Sequence, residues 1–340
     1  WSRLMRRVLS EGDSGLLGPL HPQGEPALRE AIARHLYRFR GMTVSPRQII
    51  VGAGTEYLYQ LVVHLLGRDS VIAIENPGHG KIRRVYQANG VTCIPVSLDG
   101  QGMSVQALEQ TDAVAAHLSP SHHYPTGIVT TAARRYQLLH WAEQGKYLIE
   151  DDYDSEFRFG RRLLPTLQSA DTQGRVIYMN TFSKTLAPSI RIGYMVLPPS
   201  LLEQFHQRLG FYSCPVSIFE QMTLALFLRE GYFEKHLNRM GNFYNDCRAK
   251  AVDAVRQSSL KGQILEEHAG LHFLVKLHTD LSDAEIKQRA AEAGVLVRCL
   301  SDYSETPADT ATILINYSGI DLDRLPEALS RIFEKIFGRG

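Results

Sequence analysis

Cysteine is scarce in this 340-residue chain, and the four present (Cys93, Cys214, Cys247 and Cys299) are scattered with no C-x-x-C spacing. That excludes a disulfide framework and a cysteine zinc site, and it suits a reducing compartment. No apolar run approaches the length that spans a bilayer, and no signal-peptide pattern opens the chain. A cytoplasmic setting is the expectation. Excess charge is also lacking: 37 basic residues face 36 acidic ones, for a formal net charge of +1. That balance leaves no electrostatic footprint for nucleic acid or an anionic membrane. Arg3, Arg6 and Arg7 form only a short cluster, read as a solvated helix face. Internal repeats, low-complexity segments, a G-x-G-x-x-G fingerprint and a P-loop are all missing. Nor does the chain open with methionine; it begins at Trp1, so it is expected to be a fragment of a longer product.

What is present is an ordinary globular composition, 44% hydrophobic and 21% charged, long enough to bury a large core. Residues 26–39 place Leu28, Ile32, Leu36 and Phe39 at helical spacing, with Pro26 suited to a helix start. After Gly41 apolar strand-like runs alternate with helical ones. Strands are expected at 49–51, 71–74, 91–96, 113–118, 147–150 and 175–179, with helices at 55–66, 80–89, 104–110 and 131–144. This α/β alternation predicts a doubly wound, mainly parallel sheet covered on both faces. Residues 200–257 read as helical, broken near Pro215 and Gly231. The remainder switches to a smaller α+β unit, with strands near 270–277, 295–300 and 312–316 and helices near 282–293 and 321–337. The expected organisation is a large domain over 40–240 and a small terminal domain from 1–39 and 241–340.

Two short stretches carry chemistry. Glu150-Asp151-Asp152-Tyr153-Asp154 ends the run Tyr147-Leu148-Ile149, and Thr181-Phe182-Ser183-Lys184-Thr185 follows the run 175–179. Strand residues two apart point the same way, so Asp151 and Tyr153 project together while Asp152 faces away. At the carboxyl end of a parallel strand that direction opens on the ligand crevice. A buried lysine amine, an acid to hold a pyridinium proton and a phenol to reach a ring oxygen are what pyridoxal phosphate chemistry needs. Thr181, Ser183 and Arg191 offer hydroxyls and a guanidinium suited to its phosphate. Taken singly, each stretch has a bland alternative: an acidic loop, an oxygen-ligand metal site at Asp151–Asp154, or a surface lysine. Gly52-Ala53-Gly54-Thr55-Glu56 joins a strand to a helix whose start could take a phosphate, or serves only the turn. His79 and the stretch Ser121-His122-His123-Tyr124-Pro125 follow strands, so they fall on the same rim. His79 could stack on a planar ligand or be an ordinary loop histidine. His122 and His123 lack a carboxylate or cysteine at zinc-like spacing, so no metal is assigned.

At this point the sequence resembles the fold-type I pyridoxal phosphate enzymes, the aspartate aminotransferase superfamily. In detail it is similar to the aminotransferase-like domain of MocR/GabR-type regulators of the GntR superfamily. The resemblance rests on 150–159, 163–168, 174–178 and 181–194, with further matches at 1–4, 22–33 and 231–240. It implies that Lys184 carries the cofactor, that Asp151 partners the pyridine nitrogen and that Tyr153 meets the ring hydroxyl. Gly54, Thr55, Glu56, Thr181, Ser183 and Arg191 would surround the phosphate. His79 stands where a stacking aromatic, commonly tyrosine, is usual; His123 stands where glutamine is common, and Tyr124 keeps the aromatic. Leu314 occupies the place where such aminotransferases carry a carboxylate-gripping arginine, leaving Lys81, Arg83 or Arg298 as substitutes. The resemblance further implies a homodimer that senses an amine, an amino acid or the cofactor, with DNA bound through an N-terminal winged helix outside this chain. Little or no full transamination is expected; the alternative is a free-standing aminotransferase.

Overall fold

The fold is described from a computed structural model, which covers residues 1–11, 14–153, 155–157, 164–260, 262–266, 270–306 and 309–338. Asp154 and residues 158–163, which belong to the acidic stretch and its continuation, lie outside the described residues.

Eight strands build the larger sheet: β1 (Ile49–Gly52), β2 (Val71–Asn76), β3 (Thr92–Asp99), β4 (Gly102–Met103), β5 (Ala115–Leu118), β6 (Tyr147–Asp151), β7 (Val176–Thr181) and β8 (Gly193–Val196). They lie in the order β1-β8-β7-β6-β5-β2-β3-β4. Strands β3, β2, β5, β6 and β7 pair in parallel, while β8, β1 and β4 join antiparallel. The alternating pattern foretold the parallel centre. It did not reveal β8, which returns antiparallel to β7 through the loop 182–192 and so needs no crossover helix. Because β8 reverses the chain, β1 runs alongside β7 in the same sense. Gly52 and Thr181 both register with Gly193, which brings their following turns to one rim.

Helices flank this sheet: α1 (Ser2–Glu11), α2 (Pro26–Arg40), α3 (Thr55–Leu66) and α4 (Gly80–Ala88) come first, followed by those at Ala132–Ala142 and Pro199–Leu209. The apolar face foreseen in α2 is buried: Leu28, Ile32 and Leu36 are fully enclosed, packed between β1 and the helix Ile218–Arg229. The second sheet has four antiparallel strands in the order β11-β12-β10-β9, from β9 (Gly262–Leu265), β10 (Phe273–Leu277), β11 (Arg298–Cys299) and β12 (Thr312–Ile315). Helices Asp283–Glu292 and Leu325–Phe337 pack beside one another in this unit. We propose the division at 40 and 240 as the domain arrangement; one hydrophobic cluster, from Leu28 through Val51 to Phe273 and Ile332, crosses it.

The acidic end of β6 is not a solvated loop. Glu150, Asp151 and Asp152 are all buried, and the pleat sends them to alternating sides. Glu150 accepts hydrogen bonds from the Leu167 and Gln168 amides at 2.9 Å. Burial and the neighbouring Asp152 carboxylate push its carboxyl up to about 7. Asp152 meets Arg40, the last residue of α2, through Nε at 3.0 Å and NH2 at 3.3 Å, and accepts the Tyr178 hydroxyl at 2.7 Å. Both charged side chains are essentially inaccessible, 2% and 0% exposed. Burial alone would lower the Arg40 pKa; Asp152, helped by Tyr178 and Glu150, outweighs it and raises the value. Removing one partner of such a pair leaves a bare buried charge and costs about 3–5 kcal/mol. Asp152→Ala should therefore lower the unfolding free energy by about that amount in urea titration, while Arg40→Leu with Asp152→Leu recovers most of it. A single-variant loss under about 1 kcal/mol would show that the pair does not hold this strand end in place.

Candidate active site

One cavity of ≈ 370 Å³ opens at the carboxyl ends of β2, β5, β6 and β7. Its lining brings together Thr55, Glu56, His79, Tyr124, Asp151, Tyr153, Thr181, Ser183, Lys184 and Arg191, residues that lie as far apart as β1's turn and β8's start. Gly54 sits directly behind it as the N-cap of α3.

Asp151 forms the floor. Its Oδ2 accepts the Tyr59 hydroxyl at 2.5 Å and lies 3.5 Å from His117 Nε2, whose ring is held by Tyr86 at 2.8 Å through Nδ1. Oδ1 is buried and has no protein partner. Burial, and then the nearby Asp151 charge, keep the Tyr59 phenol protonated far above its usual range. Tyr59, His117 and Glu75 were not singled out from sequence. Tyr59 sits inside an apolar helical run, where an aromatic reads as core, and only the fold brings it under Asp151.

The turn from β7 to β8 carries the lysine. Thr181 organises it: its hydroxyl donates to Ile192 O at 3.2 Å and accepts the Ser183 amide at 3.2 Å. Lys184 lines the cavity yet is exposed, so the expectation of a buried amine is corrected. The turn lifts it past the strand end, away from the packed layers. Ser183 Oγ is buried without a partner.

Arg191 closes this turn at φ 51°, a left-handed conformation uncommon for a residue with a side chain. Gly54 approaches it at φ 84° and ψ 177°, a region open essentially to glycine alone. A Cβ on Gly54 would lie 2.6 Å from Arg191 NH2. Glu56, in the first turn of α3, accepts hydrogen bonds from both Arg191 and Lys81. Burial pushes its carboxyl up, but those two cations and a backbone amide outweigh that and hold it at about 2.

On the opposite wall His79 caps α4, its Nδ1 accepting the Lys81 amide at 3.2 Å, and tilts toward Tyr124 with ring centres 5.5 Å apart. Tyr124 shares a 2.9 Å hydrogen bond with the Tyr303 hydroxyl and stands edge-on to His272. His122 lies against the Tyr153 ring at 5.0 Å. His123 and Glu75 approach to 3.6 Å. Burial lowers the histidine to about 3 and raises the acid to about 8, so this is a neutral contact and not a salt bridge. Asp151 and Asp152 diverge, so these two carboxylates do not converge on one ion; Asp154, the far end of that alternative, lies outside the described residues. Among the described residues no group of three or more His, Cys, Asp or Glu could hold a metal. Of the three cations weighed as carboxylate anchors, Lys81 and Arg83 line the cavity, each beside a glutamate, Glu56 and Glu305 respectively. Arg298 is outside the lining, although it registers with Leu314 across β11 and β12.

This arrangement fits pyridoxal phosphate. A buried carboxylate with a spare oxygen, an accessible lysine, an unpartnered hydroxyl and an arginine at a helix start are the donors it needs. Residues 6–332 match the model of the aminotransferase class I and II family. The chain is 35% identical over 334 residues to the uncharacterized HTH-type transcriptional regulator YdeL of Bacillus subtilis, covering 98% of this chain and 72% of that protein. It is 32% identical to the probable rhizopine catabolism regulatory protein MocR of Rhizobium meliloti, over 98% of this chain and 68% of that one. The structure superposes on a kynurenine aminotransferase of Pyrococcus horikoshii with a TM-score of 0.86 at 23% identity, covering 99% and 87% of the two chains. That likeness shows the fold, which is fold-type I. With its acid and lysine in one cavity, the chain belongs to the aminotransferase class I and II family, in the branch of MocR-type helix-turn-helix regulators, and pyridoxal phosphate is its cofactor.

Proposed function

We propose that this chain is the effector-sensing and dimerising module of a MocR-type transcriptional regulator, and that it carries out little or no complete transamination. The chain spans about seven-tenths of each regulator described above, which supports DNA contact through a separate winged-helix segment. No helix among the described residues is long and apolar enough to cross a membrane, in keeping with a cytoplasmic regulator. The observation that carries the reading is a complete cofactor cradle in a chain whose relatives at 32–35% identity are named as regulators. A ligand alters the dimer only by binding two of its arrangements unequally.

In this reading Lys184 would hold the cofactor covalently, and Asp151 Oδ1 would accept a hydrogen bond from the protonated ring nitrogen and keep that proton in place. Bound there, the cofactor supplies an electrophilic carbon for a primary amine and an electron sink behind it. Tyr59 and His117 keep the Asp151 carboxylate oriented. Tyr153 would meet the ring hydroxyl, His79 and Tyr124 would stand beside the ring, and Thr55, Ser183 and Arg191 would receive the phosphate. Gly54 keeps its backbone low so that Arg191 can stand over the start of α3. Thr181 fixes the lysine turn through its own backbone contacts. Glu56 enters as the bracket that holds Arg191, because a carboxylate would repel a phosphate. Leu314, half-buried on β12, brings no charge to grip a carboxylate. Complete turnover of an amino donor with a keto acid at ordinary enzymatic rates would favour a free-standing aminotransferase instead.

Purified protein loaded with pyridoxal phosphate should show visible absorbance from cofactor joined to an amine. Borohydride reduction and peptide mapping should place the label on Lys184, and Lys184→Ala should lose both signals. A label elsewhere would reject the assignment. Gly54→Ala should cost about 1–3 kcal/mol of stability, since it strains the backbone and displaces Arg191. The same variant should weaken cofactor affinity about tenfold or more, read by fluorescence titration, and unchanged affinity would remove Arg191 from the phosphate site.

A pH dependence also follows. Burial, and then the Asp151 charge, raise the Glu75 carboxyl from 4.5 to about 8 against a lowering by the Ser119 amide. The folded chain thus keeps a proton that the unfolded chain gives up. The stability it contributes is full below about pH 4.5 and is lost as pH rises toward 8. In the apo-protein, Glu75→Gln should exceed the wild type increasingly from pH 5 to 8, reaching on the order of 1–3 kcal/mol by denaturant titration. A difference that does not vary with pH would show that Glu75 ionises normally.

A further inference from the structure

The charges facing the cavity do not cancel evenly. Lys81 and Arg191 share Glu56, and Arg83 pairs with Glu305. On the reading above, Lys184 and Asp151 are taken up by the cofactor. One charged-type side chain that lines the cavity then has no assignment: Glu75, at the end of β2. Its side chain is 8% exposed. Oε2 accepts the Ser119 amide at 2.9 Å and lies 3.6 Å from His123 Nε2, which burial keeps neutral. Oε1 is buried and makes no hydrogen bond. An unpartnered buried acceptor is costly, and it persists where a ligand supplies the missing donor.

The neighbouring wall agrees. Lys81 and Arg83, which could hold a ligand carboxylate, each already sit beside a glutamate, and the residue that lines the cavity just after β12 is Asn316, an amide without charge. Among the cavity-lining residues, a carboxylate entering here would find each cation beside a glutamate or taken up by the cofactor, and it would lie near an acid; Arg298, on β11, lies outside the lining.

We infer that Glu75 is the specificity-determining residue of the effector site, and that it receives the second donor of a polyfunctional amine without a carboxylate, a diamine in its simplest form. One amino group would meet the cofactor and the other would reach Oε1. This deepens the sensing role proposed above and rests on it. An ammonium arriving at Oε1 favours the ionised acid, so binding releases a proton from Glu75.

The test uses the pyridoxal phosphate-loaded protein. It is titrated with diamines from ethane-1,2-diamine to pentane-1,5-diamine, with n-alkylamines of matching length, and with the corresponding ω-amino acids. Calorimetry and the visible cofactor band are read together. At least one diamine should bind about tenfold or more tightly than its monoamine and its amino-acid counterpart. Glu75→Gln should keep the band and the Ser119 contact but reduce that advantage to within about threefold. Glu75→Asp, shorter by one methylene, should move the optimum toward a longer diamine, which a purely structural role would not do. Monoamines or amino acids binding as tightly as diamines throughout the wild-type series would overturn the inference while leaving the cofactor assignment intact. So would a coloured Glu75→Gln protein that retains the preference. A colourless wild type would overturn the cofactor assignment, and this inference with it.

Discussion

The site depends on the buried ion pair between Arg40 and Asp152. It ties the last residue of a helix near the start of the chain to the tip of β6. A strand end is otherwise free to fray, and its side chains are then free to rotate. Here the pleat makes anchoring and function complementary. Glu150 and Asp152 turn away from the cavity into amides, Arg40 and Tyr178, and the same alternation leaves Asp151 facing the ligand. Three consecutive acids in a protein interior would ordinarily repel and protonate. They coexist because each has its own donors, Asp151 on one side of the sheet and Glu150 and Asp152 on the other.

The second constraint is the crowding at Gly54. Two turns that follow β1 and β7 must nearly touch for Arg191 to overlie the first turn of α3. That closeness requires a glycine at φ 84° on one side and a left-handed arginine on the other. Glu56 then bridges Arg191 to Lys81, so the start of α3 and the opposite wall are connected. The cavity is therefore held from both ends: by the Arg40–Asp152 pair beneath the acid and by the Glu56 bracket at the start of α3. The loop at Tyr303–Glu305 closes the third side. The Tyr303 carbonyl accepts the Gly78 amide at 2.8 Å, its hydroxyl meets Tyr124, and Glu305 reaches Arg83.

Much of this was legible in the sequence, for physical reasons. The central strands are short apolar runs bounded by glycine or proline, and the helices between them carry a clean 3.6-residue period, so their positions follow from spacing. The parity of a strand told Asp151 and Tyr153 from Asp152. What stayed hidden is whatever depends on contacts between distant segments. Asp152 has no visible partner until α2 is laid beside β6. Tyr59 looks like core, and Glu75 before Asn-Pro-Gly looks like the first residue of a turn. Lys184 was expected to be buried because imine chemistry favours a desolvated amine, but the turn carries it past the strand end. Strand β8 was missed because four buried residues after a loop give too little pattern to set a direction.

The difference between Asp151 and Glu75 shows how far the physics of such a cavity reaches. Both are acids at strand ends, both have a buried oxygen without a protein partner, and they lie close enough to influence each other. Yet Asp151 has a phenol donor at 2.5 Å and a histidine at 3.5 Å, whereas Glu75 has one amide and a neutral histidine at 3.6 Å. Burial, and then the Asp151 charge, push Glu75 toward its neutral form. The floor of the cavity thus sets a well-bonded acid beside a second one that burial holds toward the neutral state. If an amine reaches Oε1 as inferred above, it would replace the proton on Glu75, and that exchange would supply the differential contact that a sensor requires.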